Sequence, residues 1–284
     1  MNQVKYVILN GDFMPADSPV LMAGNRGFLY GDALTELMHA NGTQLQFTDQ
    51  HFASIRRGME TLKMDHLRNF TADMLRYQTT RLLNKNRLYK GVAVRLTVFR
   101  DAPGMYIPES NDISYLLQAE PVPNELYELN EQGLMVDVYP EHRKKCDAFS
   151  HLKTTSNLFY VMAGIYQQEN NLDEMILLND HGNVCQGISS NIFMVKNNIL
   201  LTPSLHEGCV AGVIRSQLVR LARTAGLSVT ESAIIKPDDL LHADELFFTN
   251  AVTGIKWAVA FRRIRYFNKT ARQLTGLLNE AAFG

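Results

Sequence analysis

The sequence predicts an α+β fold, in which strands and helices follow one another without a regular order. Short runs of apolar and β-branched residues, of which residues 92–99 are the plainest, indicate strands. Apolar residues that recur every three or four positions, as in residues 213–225, indicate helices. Since the two patterns do not alternate as strand, helix, strand along the chain, they favour an α+β fold over a doubly wound parallel sheet.

Length and charge narrow the class of protein. The chain has 284 residues, which corresponds to about two domains at ~150 residues each. Hydrophobic residues make up 46% and charged residues 20%, as is typical of a folded globular protein. With 28 basic and 29 acidic side chains the formal net charge is -1, so the basic excess of a nucleic-acid-binding or membrane-surface protein is missing. We therefore expect neither a nucleic-acid nor a membrane partner.

The first part of the chain is predicted to form a smaller α/β domain, residues 1–120. An apolar, β-rich segment is followed by Asn10 and Gly11, a dipeptide typical of hairpin turns. Thr71 is a good N-cap for a helix that ends near residue 86. The other predicted elements are a strand over residues 4–9, a helix over 51–64, and strands over 92–99 and 113–118.

The second part, residues 125–284, is predicted to form the larger domain. Residues 121–124, Pro-Val-Pro-Asn, interrupt both patterns and are the candidate linker. Gly226 is expected to end the helix at residues 213–225. The other predicted elements are strands over residues 134–138, 174–178 and 246–249, a helix over 156–169, and a hairpin of 192–195 with 199–201.

Cysteine usage points to a reducing compartment. Cys146, Cys185 and Cys209 are odd in number, widely spaced and without a C-x-x-C pair, so we expect neither disulfides nor a metal site. The N-terminus has no charged-then-apolar leader. No apolar run approaches the ~20 residues that span a bilayer. These features predict a cytoplasmic protein.

Four local features carry the candidate chemistry. They are, in chain order, Arg-Gly-Phe-Leu-Tyr-Gly-Asp at residues 26–32, Lys153 among small polar residues, Gly-Asn-Val-Cys-Gln-Gly-Ile-Ser-Ser-Asn-Ile-Phe at 182–193, and Gly-Val-Ile-Arg at 212–215 with Thr-Asn-Ala at 249–251. Each alone has a plain explanation, because most lysines lie at the surface and most glycines before helices form turns. The sequence contains none of the familiar phosphate-loop, G-x-G-x-x-G, H-E-x-x-H or G-x-S-x-G motifs.

In their order and spacing, these four features resemble the fold-type IV, or class IV, pyridoxal-phosphate enzymes. This family includes branched-chain aminotransferases, D-amino acid aminotransferases and aminodeoxychorismate lyases, and the resemblance covers residues 5–260. It implies the two-domain fold of the D-amino acid aminotransferases, with a cofactor-binding C-terminal domain. It also implies pyridoxal 5'-phosphate as cofactor, a homodimer, and transfer of an amino group between an amino acid of branched-chain or D-amino acid type and a 2-oxo acid.

The resemblance also implies roles for single residues. Lys153 matches the lysine that forms a Schiff base with the cofactor aldehyde and then moves a proton, which requires a neutral amine. The residues that match cofactor-binding positions are Gln186, Asn191, Gly212, Val213, Ile214, Asn250 and Ala251. Among them, the backbone N–H groups at the start of a helix suit a phosphate. Tyr30, Glu36 and Arg100 match substrate-side positions, and a guanidinium such as that of Arg100 pairs well with a carboxylate.

Three departures from the family pattern identify an atypical member. Gln186 stands where the family has a glutamate that pairs with the pyridine nitrogen, and an amide cannot neutralise a pyridinium. We therefore expect a rate lower by about tenfold or more. Ser54 stands where a phosphate-binding arginine is usual, although Arg56 and Arg57 follow closely, and Leu158 replaces a tyrosine of many branched-chain enzymes. Together the departures predict weak cofactor binding and reduced activity.

Three functions stay open at this point. An aminotransferase is favoured by Lys153 and Arg100. An aminodeoxychorismate lyase-like enzyme, which releases pyruvate, is favoured by residues 212–215 and 250–251, although the lyases usually carry threonine at the position of Glu36. A non-catalytic relative that binds a ligand or partner is favoured by the three departures, but the lysine argues against a complete loss of chemistry.

Overall fold

The chain divides into two compact units. The computed structural model describes residues 5–65 and 69–284. Unit 1 consists of the described residues up to Leu126 together with Leu152–Ser156, and unit 2 consists of Tyr127–His151 and Asn157–Gly284. Leu152–Ser156 was predicted to belong to the larger C-terminal domain, whereas backbone hydrogen bonds join this segment to unit 1.

Unit 1 combines an antiparallel sheet with two longer helices. Its described elements, in chain order, are β1 (Tyr6–Leu9), β2 (Asp12–Pro15), α1 (Arg26–Tyr30), β3 (Ala33–Asn41), β4 (Gln44–Leu45), α2 (Thr48–Thr61), α3 (Ala72–Asn86), β5 (Val92–Arg100) and β6 (Ile113–Pro121). Among the described residues the strands lie in the order β2-β1-β6-β5-β3-β4, and neighbouring strands are antiparallel.

The segment Leu152–Ser156 lies along the first half of β3. Thr35 N donates to the carbonyl oxygen of Lys153 at 2.8 Å, and Thr155 N donates to the carbonyl oxygen of Ala33 at 3.1 Å. Strand β4 pairs only with the other end of β3, so this stretch of the strand edge is open to the segment. The pairing fixes the backbone of Lys153 beside Thr35.

The core of unit 1 is formed by the sheet with helices α2 and α3. The apolar side chains that recur along the two helices, such as Ile55, Met59 and Leu82, are buried in it. Each such burial stabilises the fold by roughly 1.5–3 kcal/mol. Thr71 caps α3, as predicted, because its Oγ1 accepts a hydrogen bond from Met74 N at 3.1 Å.

Unit 2 contains a larger mixed sheet and three helices in the described chain. Its elements are β7 (Leu134–Val138), α4 (Leu158–Glu169), β8 (Glu174–Leu178), β9 (Val184–Gly187), β10 (Asn191–Lys196), β11 (Ile199–Pro203), α5 (Val213–Thr224), β12 (Ser228–Ala233), β13 (Glu245–Asn250), β14 (Gly254–Phe261), β15 (Ile264–Arg265) and α6 (Lys269–Phe283), with short 3₁₀ helices at Leu205–Glu207 and Pro237–His242. The strand order is β12-β11-β10-β13-β14-β7-β8-β9, and β15 pairs with β14. The pairs β11–β12, β14–β7 and β7–β8 are parallel.

The α+β class predicted from the sequence is confirmed. Strands β7 and β8 have the predicted bounds, and the β10–β11 hairpin lies where it was expected. Helix α2 begins at Thr48, three residues before the predicted start, because Phe47 turns the chain with a left-handed φ of 51°. Nothing in the described part of the chain provides a helix with the length and apolar character needed to span a bilayer.

Candidate active site

The ε-amine of Lys153 lies against a buried carboxylate in unit 1. Its Nζ donates to Oε1 of Glu36 at 2.7 Å, and 26% of the lysine side chain is exposed. The backbone pairing with Thr35 of β3 holds the lysine at this position. The amine is therefore fixed in place and still accessible to a small molecule.

Two basic groups hold Glu36. Its side chain is 2% exposed, and Oε1 also lies 2.7 Å from Nδ1 of His51. Burial raises the pKa of Glu36, but the charge of Lys153 and the hydrogen bond with His51 outweigh burial and lower that pKa to about 2. Glu36 is therefore ionised at neutral pH. The structure thus brings Glu36 to the lysine, and it adds His51, which lies 15 residues away in sequence and gave no local signal.

Two buried hydroxyl groups lie close to Lys153, one on β3 and one in the segment Leu152–Ser156. Thr35 Oγ1 and Thr155 Oγ1 have no hydrogen-bond partner within the described residues. A buried polar atom without a partner costs about 1–3 kcal/mol. These two atoms therefore mark positions where a polar group of a ligand can supply the missing bond.

The guanidinium of Arg100 makes its hydrogen bonds within unit 1. Its Nε donates to Oδ2 of Asp32 at 3.0 Å, and Arg26 Nε reaches the same oxygen at 2.8 Å. The further acceptors of the Arg100 guanidinium are Leu62 O, Lys63 O and Asn111 Oδ1. The side chain is buried, and these contacts take four of its five N–H groups. The donors of Arg100 are thus engaged by Asp32 and by the residues that follow α2, and its binding of a substrate carboxylate stays a prediction.

Tyr30 ends helix α1 and is half-buried. The guanidinium carbon of Arg26 lies 5.0 Å from the centre of its ring, and the ring of Tyr106 lies 5.6 Å away. These contacts fix the ring, and Tyr30 stays a candidate for contact with a substrate.

An arginine that the sequence analysis missed lies on β5. Arg95 stands opposite Leu37 of β3, and Thr97 stands opposite Thr35. Since side chains alternate along a strand, these four residues share one face of the sheet. Arg95 is exposed, so its guanidinium is available on the face that carries Thr35. The strand β3 itself was not predicted, and without it no sequence signal relates Arg95 to Lys153.

Helix α5 of unit 2 begins without a side-chain cap. Its N-cap is Gly212, and Ser216 N donates to the carbonyl oxygen of Gly212 at 3.2 Å. The N–H groups of Val213 and Ile214 precede that bond, so they have no partner inside the helix. The start of this 12-residue helix can therefore bind an anion.

Gly212 has no room for a side chain. A Cβ at this position would lie 2.1 Å from Oδ1 of Asn191. Asn191 is buried, and its Nδ2 donates to the carbonyl oxygen of Val210 at 2.8 Å. Because φ of Gly212 is -68°, the glycine is needed for this close approach and not for the backbone conformation.

Gln186 is buried on β9 with both ends of its amide in use. Its Oε1 accepts a hydrogen bond from Val210 N at 2.9 Å, and its Nε2 donates to the carbonyl oxygen of Gly187 at 3.2 Å. Burial raises the pKa of Tyr160, and a hydrogen bond with Gln186 partly offsets that effect. A carboxylate at this position could accept from Val210 but could not donate to Gly187.

The turn after β13 contains the remaining predicted residues. Thr249 pairs with Asn191 across the sheet, and its buried Oγ1 has no partner in the part of the chain that the structure describes. Asn250 Oδ1 accepts from two following backbone N–H groups at 3.0 and 2.9 Å, which closes the turn. The carbonyl oxygen of Ala251 accepts from the Tyr127 hydroxyl at 3.1 Å. Asn250 and Ala251 therefore shape the turn, and Thr249 keeps a free hydroxyl.

The other two departures from the family pattern lie on helices. Ser54 is half-buried on α2, whereas Arg56 and Arg57 are exposed. The Nε atom of Arg56 lies 3.8 Å from Oε1 of Glu60. Leu158 begins α4 and is 74% exposed. The tyrosine of this helix that contacts Gln186 is Tyr160, two residues later, which the sequence analysis missed.

A family model resolves how the chain is classified. The model described as amino-transferase class IV matches residues 33–258, which include Lys153, Gln186 and residues 212–214. The chain belongs to the class IV aminotransferase family. The resemblance stated from the sequence is thereby confirmed.

The names of relatives of this family member give more than one activity. The chain is 28% identical to a Methanocaldococcus jannaschii protein classed with the branched-chain-amino-acid aminotransferases, over 88% of this chain and 85% of the relative. It is 26% identical to the D-alanine aminotransferase of Bacillus licheniformis, over 88% of this chain and 86% of that one. It is 25% identical to the aminodeoxychorismate lyase of Bacillus subtilis, over 95% and 92%.

Solved structures share the fold. The branched-chain aminotransferase of Thermoproteus uzoniensis, solved with norvaline, superposes with a TM-score of 0.88 over 96% of this chain and 93% of that one, at 20% identity. The branched-chain aminotransferase of Thermobaculum terrenum, solved in its PLP form, gives 0.86 over 99% and 94%, at 19% identity. The predicted fold-type IV architecture is thereby confirmed.

Proposed function

We propose that this class IV aminotransferase uses pyridoxal 5'-phosphate to move an amino group between an amino acid, of branched-chain or D-amino acid type, and a 2-oxo acid. One observation carries the proposal: the accessible ε-amine of Lys153 lies 2.7 Å from the buried, ionised carboxylate of Glu36. A lysine that binds an aldehyde and moves protons must be held in one orientation through changes of its charge. Glu36 provides that orientation.

The residues of unit 2 fit the phosphate of this cofactor. Val213 and Ile214 offer N–H groups without a partner inside α5, and Gly212 leaves the start of the helix without a side chain. The buried hydroxyl of Thr249, which has no hydrogen-bond partner among the described residues, is a further donor. We propose that these groups hold the phosphate, and that Asn191, Asn250 and Ala251 shape the loops that present them.

The amide of Gln186 is suited to contact the nitrogen of the pyridine ring as a donor. Its Oε1 accepts from Val210 N and its Nε2 donates to the carbonyl oxygen of Gly187, so any bond to the ring nitrogen would use the second N–H of Nε2. An amide donor matches an unprotonated ring nitrogen and supplies no charge to balance a protonated one. We propose that the ring would be a weaker electron sink here than with a glutamate at this position, which supports a reduced rate.

Lys153 and the side chains around it have different roles in proton transfer. Pyridoxal phosphate, when bound, supplies the electron sink for charge that develops at the substrate α-carbon. Lys153 would take a proton from that carbon with its neutral amine and pass it to the cofactor. Glu36 accepts a hydrogen bond from the ammonium form, and His51 fixes the carboxylate. The lysine therefore keeps its orientation between the two transfers.

Substrate binding is assigned to Tyr30 and Arg95. Arg100 is buried on Asp32 and has no role in this assignment. Arg95 is exposed on the sheet face of Thr35, the residue whose N–H holds the backbone of Lys153. We propose that its guanidinium binds a substrate carboxylate through a two-point contact.

Cofactor attachment tests the proposal directly. Purified protein is titrated with pyridoxal phosphate, reduced with borohydride and digested, and the modified residue is identified by mass spectrometry. We expect visible absorbance that borohydride removes, the reduced cofactor attached covalently to Lys153, and neither in Lys153→Ala. Absence of binding at saturating cofactor would contradict the proposal and favour a non-catalytic relative.

A panel of amino donors then identifies the reaction. L- and D-amino acids, with branched-chain side chains and alanine included, are offered with 2-oxo acids. We expect more than one equivalent of donor per protein chain to lose its amino group only when an acceptor is present. If protein loaded with pyridoxal phosphate transfers the amino group of none of these donors, the aminotransferase proposal is wrong.

A lyase activity is the second candidate, and one residue favours it. The buried hydroxyl of Thr35 has no partner in the described chain, and the backbone of Thr35 is bonded to Lys153. A hydroxyl at this place can give a proton to a leaving group. Pyruvate release from aminodeoxychorismate, followed with lactate dehydrogenase, distinguishes this activity from amino-group transfer.

We also propose that the protein is a homodimer in the cytoplasm. Helix α4 exposes Leu158, Val161 and Ile165, which follow one another at helical spacing. Exposed apolar residues in such a row support an interface with a second copy. The three cysteines are free thiols, which supports a reducing compartment. Light scattering of the purified protein tests the dimer.

A further inference from the structure

Lys144 is a buried lysine that the proposed reaction does not use. Its side chain is 8% exposed. Its Nζ donates to the carbonyl oxygen of Ser150 at 2.8 Å and to that of Gly208. The backbone of Lys144 is bonded to the end of β8, so the side chain starts from a fixed base. One ammonium group thus joins two loops, residues 145–150 and residues 208–211.

The position is unfavourable for a charge. Burial lowers the pKa of Lys144, and the nearby Cys185, Cys209, Cys146 and Asp147 oppose that effect. Removing an ammonium from water costs several kcal/mol, of which charge-assisted bonds to two carbonyls recover a part. An apolar side chain of the same length would avoid this cost but would leave both carbonyl oxygens without their donor. What the ammonium adds is therefore the link between the two loops.

The loop 208–211 leads into helix α5 and is held at each residue. Lys144 Nζ donates to the carbonyl oxygen of Gly208, and His151 Nδ1 lies at hydrogen-bond distance from that of Cys209. Val210 N donates to Gln186 Oε1, and the carbonyl oxygen of Val210 accepts from Asn191 Nδ2. Ala211 N donates to the carbonyl oxygen of His151. Gly212 follows directly, so the directions of the first N–H groups of α5 depend on how this loop is held. Lys144 supplies the first of these contacts.

Ser150 closes the other loop. Its Oγ donates to the carbonyl oxygen of Lys145 at 2.8 Å and accepts from Asp147 N at 2.7 Å, while its carbonyl oxygen binds Lys144. Lys153 follows three residues later in the chain.

We propose that Lys144 is a positioning residue for phosphate binding. By holding Gly208 and Ser150 it sets the loop 208–211, and through that loop it aims the N–H groups of Val213 and Ile214 at the phosphate. Lys144 acts through the loop and not by contact with the phosphate. The inference rests on the proposed function, which assigns the cofactor phosphate to the start of α5.

Comparison of pyridoxal phosphate with pyridoxal, which lacks the phosphate, tests this role. Both are titrated into wild type, Lys144→Met and Lys144→Arg, and binding is followed by absorbance. We expect Lys144→Met to raise the Kd for pyridoxal phosphate about tenfold or more, which is ~1.4 kcal/mol, and the Kd for pyridoxal less than about twofold. Lys144→Arg, which keeps charge and donors, should stay within about threefold of wild type. Equal losses for both ligands would reduce Lys144 to a structural role and overturn the inference.

Lys145→Met is the matched control, because Lys145 is the exposed neighbour. It should bind both ligands as wild type does, and thermal unfolding is recorded for every variant. If Lys144→Met does not fold, Lys144→Gln replaces it, since glutamine keeps one donor without charge. If neither folds, Lys144→Arg decides: a Kd for pyridoxal phosphate within about threefold of wild type, with an unchanged ³¹P resonance of the bound cofactor, supports the inference, and a Kd raised equally for both ligands would overturn it. Wild type that binds neither ligand would instead contradict the proposed function.

Discussion

The Nζ atom of Lys153 lies 2.7 Å from Oε1 of Glu36, across 117 positions of sequence. The carboxylate is buried, whereas the lysine side chain is partly open. The contact links the segment Leu152–Ser156 to β3 by charge in addition to backbone bonds. Breaking a buried pair from one side costs about 3–5 kcal/mol, so this contact contributes to the fold as well as to the lysine's orientation.

Acidification should weaken this pair in a defined range of pH. The pKa of Glu36 is about 2 in the folded protein, against an ordinary 4.5. A lowered pKa contributes stability that is fully present above the unfolded value and is lost as pH falls through the folded value. The shift corresponds to about 3 kcal/mol. Urea unfolding of the cofactor-free protein, from about pH 6 to about pH 3, should therefore show a steeper loss for wild type than for Glu36→Gln. Glu60→Gln, at an exposed position, is the control and should keep the wild-type slope. Equal slopes for wild type and Glu36→Gln would contradict the assignment.

Gln186→Glu should raise the rate of amino-group transfer and lower the free energy of unfolding. A carboxylate can balance a protonated ring nitrogen, and we expect the single-turnover rate with an amino donor to rise about tenfold. The same change removes the donor to Gly187 O, which should lower the free energy of unfolding by about 0.5–1.5 kcal/mol.

Stopped-flow absorbance and urea unfolding measure the two effects of Gln186→Glu separately. Gln186→Met, which lacks both donor and acceptor, also loses the bond from Val210 N and should bind the cofactor more weakly. A rate unchanged in Gln186→Glu would show that the amide does not limit the reaction.

Local patterns predicted much of the fold and little of the site's geometry. Strands β7 and β8 and helix α3 follow from composition, spacing and the Thr71 cap, all of which are local. Strand β3 was missed because the polar residues Glu36 and His39 occupy buried positions of Ala33–Asn41, so the hydrophobic pattern of the sequence does not follow the burial of the strand. The position of Lys153 beside Glu36 depends on that strand, and so could not be predicted either.

The role of Arg100 shows a different limit of sequence. Its residue type suits a carboxylate, and it does bind one, but the carboxylate is that of Asp32, 68 residues earlier. Residue type alone cannot distinguish a partner in the fold from a partner in a ligand. Lys144 gave no signal for the same reason, because its acceptors are backbone carbonyls, which every residue has.

Gly212→Ala should weaken cofactor binding by a steric effect. The new Cβ would lie 2.1 Å from Asn191 Oδ1, and the backbone conformation of Gly212 suits any residue. Asn191 must therefore move, and we expect a loss of about 1–3 kcal/mol in stability together with a higher Kd for pyridoxal phosphate. Gly164→Ala in α4 meets no atom within 4 Å and is the control, which should be neutral or slightly stabilising. Adding Asn191→Ala to Gly212→Ala should recover part of the stability, and no recovery would contradict the steric explanation.

Arg95 and Arg100 should separate substrate binding from stability. Arg100→Ala removes a buried guanidinium from Asp32, so the protein should lose about 3–5 kcal/mol in unfolding free energy. Arg95→Ala removes an exposed one, so thermal unfolding should change little while KM for the amino donor rises about tenfold, as expected for a lost charge-assisted contact. Arg95→Lys keeps the charge without the two-point geometry and should fall between wild type and Arg95→Ala. Because the two arginines lie on one strand, the pair controls for general effects of losing positive charge from this sheet. A KM that responds to Arg100→Lys in a folded protein, and not to Arg95→Ala, would return the substrate carboxylate to Arg100.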